Sequence, residues 1–407
     1  MKHRILLIIF VCFVGLNAFA QNMALLEIEH NRLDATFAER LAVLEVIQDA
    51  GITGIGEFYH NALNTLLQRM PDATTSAERQ AALASARIIA QRLGAEQHTA
   101  AAPDLWRLVL QFDIAQPFND GIVMQDALTA LGQVDGRQFI PHIVQRLTDL
   151  NTQVISDAET RRRVQRAVVG CINALETFGD PAGFRPVFLV SIGGYDLAIR
   201  NRASIALPNI MDDPGDIISE IIQDPSIPPA IKYEAWREFL RTRAPNESRA
   251  RVAAIALNTG WTFATNIPVE QRALRSMRVS AIDTIRALGA ADDSVYVNLE
   301  RSYRANFNSP SPDFEEIRRT VACLAAIGSD QAVGLLTDFL RELHNRRRIG
   351  PWTARERQTF NWVVSGLGDS GTQSQDARML LATIERSPDY TGAERGWVRN
   401  ALGALGN

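Results

Sequence analysis

Apolar residues recur along this chain at the helical interval and almost nowhere at the interval of a strand. Phe360, Val363, Val364 and Leu367 fall at i, i+3, i+4 and i+7, and Ala377, Leu380, Leu381 and Ile384 repeat the pattern. Val333, Leu336, Leu340 and Leu343 form a similar stripe. The one short β-like run, VFLV at 187–190, lies within the same helical period and is predicted as helix. Each stripe covers one face of an amphipathic helix, and polar residues occupy the other.

The stripes are punctuated at a fixed distance. ARIIAQRLGAE, ALTALGQVD, INALETFGDPA, SAIDTIRALGAADD, ACLAAIGSD, WVVSGLGDS and RNALGALGN align on Gly94, Gly132, Gly179, Gly289, Gly328, Gly368 and Gly406, with spacings of 38, 47, 110, 39, 40 and 38 residues. The interval of 110 holds two degenerate copies without the glycine, RASIALPNIMDDP (202–214) and KYEAWREFLRTRAPNE (232–247). Each unit therefore reads as two amphipathic helices that cannot bury their apolar faces alone. Stacking successive pairs makes one continuous core.

The glycine-ended helices resemble the second helix of HEAT repeats, which closes in A-x-A-L-G. The resemblance covers residues 75–407, is strongest over 272–386 and lapses over 202–260, where Pro208 replaces the glycine and Pro228-Pro229 opens the next helix. It implies an all-α fold, an α-solenoid of stacked antiparallel helix pairs forming a HEAT-like superhelix of roughly nine repeats. Residues 21–74 are helical in composition, do not match the repeat, and are expected to form an N-terminal cap. NFNSPSPDF (306–314) is predicted as an inter-repeat loop. Gly368 is predicted to end its helix in the left-handed conformation, leaving Asp369 and Ser370 to cap the helix starting near Ser374 or to connect towards it.

Residues 1–20 carry a different pattern. Lys2, His3 and Arg4 precede an apolar run from Ile5 to Leu16, and Ala18-Phe19-Ala20 has the form of a cleavage site. They are expected to be an export signal, with an uncleaved anchor as the rival reading, and the mature chain is expected in the periplasm or cell envelope of a bacterium, without a membrane span. Cleavage takes two from the 42 basic residues and none from the 46 acidic ones, leaving a net charge of −6. That balance argues against nucleic acid as a partner, which calls for an excess of Lys and Arg. Cys171 and Cys323 remain, each in an apolar helical run, and are predicted to be buried free thiols.

Motifs of catalysis mostly dissolve on inspection. SGLGDSG (365–371) matches both G-x-G-x-x-G and G-D-S-G, but no second strand carrying a ribose-binding acid follows it, and no histidine motif accompanies Ser370. His30, His60, His98, His142 and His344 are scattered singly along the chain, so no metal or cofactor is expected. Neighbouring acids such as Glu315-Glu316 fit helix starts rather than an acid–base pair.

Basic residues, in contrast, crowd the starts of the glycine-ended helices, among them Arg278, Arg318, Arg319 and Arg357. In HEAT repeats the second helix lines the concave face. The row would then be either a structural ladder of Arg–acid pairs between repeats or a groove for an acidic protein segment. A second candidate is ELHNRRRIGPW, where Arg346, Arg347 and Arg348 precede Trp352, the pairing favoured at interfaces if that Trp is exposed. The resulting expectation is a non-catalytic scaffold that binds a protein partner. The alternative is a HEAT-like, lyase-like enzyme with its site in the concave groove.

Overall fold

A computed structural model describes residues 16–112, 121–153, 157–289 and 291–406. Among them the regular structure is helical throughout, and the expected all-α architecture of stacked helix pairs is what forms. Of the segment read as an export signal, residues 1–15 lie outside the described residues. No helix among the described residues is long and apolar enough to cross a membrane.

The chain divides into two compact units, Met1–Asp212 and Asp213–Asn407, a boundary that no linker composition announces. The first contains α1 (Leu16–Asn31), α2 (Phe37–Asp49), α3 (Gly56–Arg69), α4 (Ser76–Ala95), α5 (Ala102–Gln111), α6 (Ile122–Gln133), α7 (Ile140–Thr152), α8 (Ala158–Phe178), α9 (Phe184–Ile192) and α10 (Leu197–Ile210). One row of packed helices runs α2–α4–α6–α8–α10, and the other joins α1 to α3, α3 to α5 and α7 to α9. The helices of residues 21–74 pack in line with the two rows.

The second unit contains α11 (Gly215–Gln223), α12 (Pro229–Arg241), α13 (Asn246–Thr262), α14 (Pro268–Leu288), α15 (Asp293–Phe307), α16 (Phe314–Ile327), α17 (Asp330–Ile349), α18 (Ala354–Asp369), α19 (Gln375–Arg386) and α20 (Gly392–Gly406). Its rows are α12–α14–α16–α18–α20 and α11–α13–α15–α17–α19. In each unit the helices carrying the repeated glycine, and the degenerate copies α10 and α12, all fall in one row. The alignment on glycine therefore reads out a layer of the fold.

Local chemistry explains the boundaries. Thr36 with Glu39, Thr75 with Glu78 and Thr353 with Glu356 form reciprocal capping boxes at the starts of α2, α4 and α18. The side chains of Asp157, Asp292, Asp313, Ser329 and Ser374 accept from the third amide of their helices. Pro229 occupies the first turn of α12, as predicted, and VFLV lies inside α9. Pro208 does not end α10, which continues to Ile210. The loop expected at 306–314 is shorter, because α15 runs to Phe307 and α16 begins at Phe314.

The repeated glycines divide into two kinds. Gly179, Gly289 and Gly328 end α8, α14 and α16 in the left-handed conformation, with φ of 60°, 62° and 60°. Gly368 does not, which corrects the sequence expectation. It lies within α18, where a Cβ would stand 3.1 Å from the Cα of Ala401 on α20. Its role is close approach of two helices in one row. The left-handed residue of that turn is Gly371, Ser374 caps α19 itself, and the Ser370 hydroxyl donates to the Leu367 carbonyl at 2.8 Å.

The cores are largely aliphatic and aromatic, and one of their buried charges explains a helix end. Lys232 is fully buried in the second unit, and its Nζ donates to the carbonyls of Ile221, Ile222 and Asp224 at the C-terminal end of α11. The Phe263 ring lies 5.3 Å from the same ammonium. A cation thus satisfies carbonyls that a helix terminus leaves without partners, at the negative end of its dipole.

Candidate partner-binding surface and histidine cluster

The arginine row is built on the glycine-bearing layer of the second unit, and most of its charges point to the neighbouring copy. Arg278 on α14 forks onto Glu316 of α16, with Nε–Oε1 at 2.8 Å and Nη2–Oε2 at 2.9 Å. Glu316 is fully buried and the Arg278 side chain is 12% exposed. The remaining Arg278 nitrogen donates to the Gly260 carbonyl at 2.9 Å, and the guanidinium stacks 4.0 Å from the centre of Trp261. One turn earlier, Arg275 pairs with Asp313. Arg319 bridges Asp283 and Glu315, Arg318 holds Glu315 at 2.8 Å, and Arg357 meets the nearly buried Glu394 at 2.9 Å.

These contacts favour the ladder over a free basic groove. Arg278 is the most committed of the candidate partner residues, since Glu316 and the Gly260 carbonyl take three of its five N–H donors. The first unit has its own members, with Arg202 pairing to Glu176 and Arg87 to Asp126.

Trp352 is likewise not a free aromatic. It is half-buried, its indole N–H donates to the Leu343 carbonyl at 3.2 Å, and its ring packs 4.6 Å from Phe360 and 5.4 Å from Tyr390. Arg347 caps the Asp389 carbonyl at 2.6 and 2.8 Å while lying over Trp352. Arg346 is divided among Glu342, Glu356 and Asn308, over the ring of Phe307. Arg348 is exposed at the end of α17 and forms no ion pair among the described residues.

The same layer does present a cleft. A hollow of about 330 Å³ opens along α14, α16 and α18, lined by the charged Arg286, Arg318 and Asp369 and by the apolar Ala322, Ala325 and Trp362 among others. Arg286 is exposed and makes no hydrogen bond or ion pair among the described residues. Neither Arg286 nor Trp362 stands out in the sequence. Arg286 lies in the last turn of its helix, away from the crowded helix starts, and Trp362 reads as one more core aromatic.

Glycines of SGLGDSG contribute to this cleft only as helix. Gly366 lines it, and the run to Asp369 is regular α-helix, whose amides are used within α18 rather than presented to a phosphate. Cys171 and Cys323 are free and buried, and burial pushes both thiols up to about 12.

In the first unit the histidines are not all solitary. Glu57 and His60 sit one turn apart near the start of α3, and His98 lies in the turn after α4. Ligand atoms of the three side chains all lie within 4.8 Å of one another. The two imidazole centres are 5.3 Å apart, His98 Nε2 is 3.6 Å from Glu57, and His60 Nε2 meets Asp104 of α5 at 2.9 Å. Asp104 is also held by Arg107 at 2.8 Å. Opposing burial, the hydrogen bonds from His60 and Arg107 hold the Asp104 carboxyl below its usual range.

No protein-family model matches the chain, and no curated protein matches it. Among solved structures, the chain is similar to human deoxyhypusine hydroxylase in complex with glycerol, at 14% identity and a TM-score of 0.27, over 86% of this chain and 97% of that one. It is also similar to a chain from the structure describing a phosphorylation switch in the interaction between cadherin and β-catenin, at 8% identity and a TM-score of 0.37, over 96% and 94%. A third is importin β, at 12% identity and a TM-score of 0.35, over 94% of this chain and 54% of that one. Likeness of this degree carries no activity or partner across.

Proposed function

We propose that this chain is an exported, non-catalytic scaffold of a bacterial cell envelope that binds a protein partner on the glycine-bearing helix row of its second unit. The observation that carries the reading is the cleft along α14, α16 and α18. It sets the apolar side chains of Ala322, Ala325 and Trp362 beside the guanidinium of Arg286, which forms no ion pair among the described residues. Such a surface suits an extended or helical segment with an apolar side and a carboxylate placed to meet Arg286. The arginine row at the helix starts holds the repeats together and frames the site. Export rests on the charged start, apolar run and A-x-A triplet of residues 1–20. The absence of a reactive thiol environment at Cys171 and Cys323 weighs against a thiol-based enzyme.

Crosslinking of the tagged mature protein in its own envelope, followed by identification of the attached proteins, tests this. A partner captured by the wild type and lost from Arg286→Glu and Trp362→Ala variants is expected. Recovery of the chain alone, or capture insensitive to both substitutions, would overturn the reading.

A further inference from the structure

Glu57, His60, His98 and Asp104 come together from three places in the chain, and hydrogen bonding alone leaves their arrangement incomplete. Asp104 satisfies one nitrogen of His60 and is itself held by Arg107. His98 Nε2, in contrast, is buried and has no hydrogen-bond partner, standing 3.6 Å from a carboxylate too distant to accept from it. A nitrogen so placed beside a second imidazole and a carboxylate has the makings of a metal ligand rather than of a satisfied core histidine.

The donor set is specific in kind. Two neutral imidazoles and a carboxylate are the ligands of zinc and its transition-metal neighbours, whereas magnesium and calcium take oxygen. Bonds of about 2.0–2.2 Å to zinc require donors closer than 4.8 Å, so the set must draw inward slightly. The mobile member is Glu57, whose side chain is 76% exposed and free to change rotamer. The two histidines are fixed more firmly. His60 is oriented by Asp104 in the manner of a carboxylate that fixes a ligating imidazole. His98 rests against the start of α3, where a Cβ on Gly56 would approach its Nδ1 to 2.7 Å.

We propose that Glu57, His60 and His98 form a binding site for a single zinc-class divalent cation, with Asp104 as a positioning residue for His60. The site would tie α3 to the turn between α4 and α5, fastening successive helix pairs near the start of the array. It lies in the first unit and is independent of the cleft proposed for partner binding.

The test is metal binding by the full mature chain, stripped with chelator and dialysed against zinc alone. About one zinc per chain is expected, with His60→Ala and His98→Ala each abolishing retention and Asp104→Asn weakening it about 10- to 100-fold. Gly56→Ala removes no ligand and is expected to weaken binding by displacing His98. Unchanged circular dichroism separates loss of metal from loss of fold. Should the histidine variants not fold, cobalt(II) titration of the wild type replaces them, and a d–d spectrum showing nitrogen ligation is expected. Zinc retention equal in wild type and the His60/His98 variants, calcium or magnesium competing at equal concentration, or a cobalt spectrum without nitrogen ligation would each overturn the proposal.

Discussion

The guanidinium of Arg278 and the carboxylate of Glu316 meet in a two-pronged bond at 2.8 and 2.9 Å, 38 residues apart in the chain. That separation matches the 38–40-residue spacing of the neighbouring glycines, so the pair joins equivalent positions of adjacent copies. With Glu316 fully buried, removing either partner strands a charge. Glu316→Ala is expected to cost about 3 kcal/mol or more in urea unfolding followed by the fluorescence of Trp261, and Arg278→Met with Glu316→Leu should recover most of it. A loss under 1 kcal/mol for the single change would show that the pair is solvated.

The two kinds of glycine should respond differently to substitution. Gly289→Ala meets no neighbour and carries only the left-handed strain, about 1–2 kcal/mol. Gly328→Ala adds a Cβ at 2.9 Å from the Ser370 carbonyl and should cost more. Gly368→Val presses on Ala401 and should loosen α20, read as faster amide exchange there, while Ser370→Ala should change little. Equal costs for Gly289→Ala and Gly328→Ala would contradict the difference in packing.

Lys232 offers a third measurement. Lys232→Met keeps much of the side-chain volume and removes the donor shared by three carbonyls. The expected loss is about 2 kcal/mol or more in thermal or urea unfolding, with fraying of the end of α11 in amide exchange. A neutral effect would mean that water replaces the ammonium there.

Acid should weaken the second unit before its carboxylates titrate. Burial lowers the pKa of His344, Arg348 adds to the effect, and Asp389 opposes it, while the ring pairs with the Tyr390 hydroxyl at 2.7 Å. Below its ordinary value of about 6.5, the unfolded chain binds a proton there that the folded chain resists. Stability is therefore lost as pH falls through 6.5 towards the lower folded value. His30, buried in the first unit with its pKa also lowered by burial, acts in the same direction. Thermal unfolding from pH 7 to 5 should fall less steeply in His344→Asn than in wild type, and identical slopes would refute the assignment.

Neither Cys171 nor Cys323 should react with a thiol reagent at neutral pH until denaturant is added, because burial pushes both thiols up to about 12. Rapid labelling of either would revive a thiol-based chemistry.

The layer structure was legible because a helix pair needs apolar residues at fixed intervals and because glycine marks its position wherever it serves. What that glycine does was not legible. Gly289 ends a helix and Gly368 lets two helices touch, and both appear in the sequence as the same A-L-G or G-L-G ending. The ladder was partly readable, since Asp313 and Glu394 stand where an arginine of the preceding copy can reach them. The histidine cluster escaped because only Glu57 and His60 share a helix turn. His98 joins them from 38 residues beyond His60, one period away, and distance along the chain disguises proximity that the repeat itself creates. Trp352 beside three arginines left two readings open in the sequence, and its indole N–H bond to Leu343 and contact with Phe360 fit the one in which it folds back onto the helices.

The forked bond from Arg278 to Glu316 also has a directional meaning. A copy whose arginine looks forward cannot complete its own polar inventory, and remains deficient until the following copy has formed. Cutting the second unit between α15 and α16 would therefore leave more than an exposed apolar face. It would end the array on a cation shaped for an anion no longer there, so that order in this part of the chain is inherited from one copy by the next.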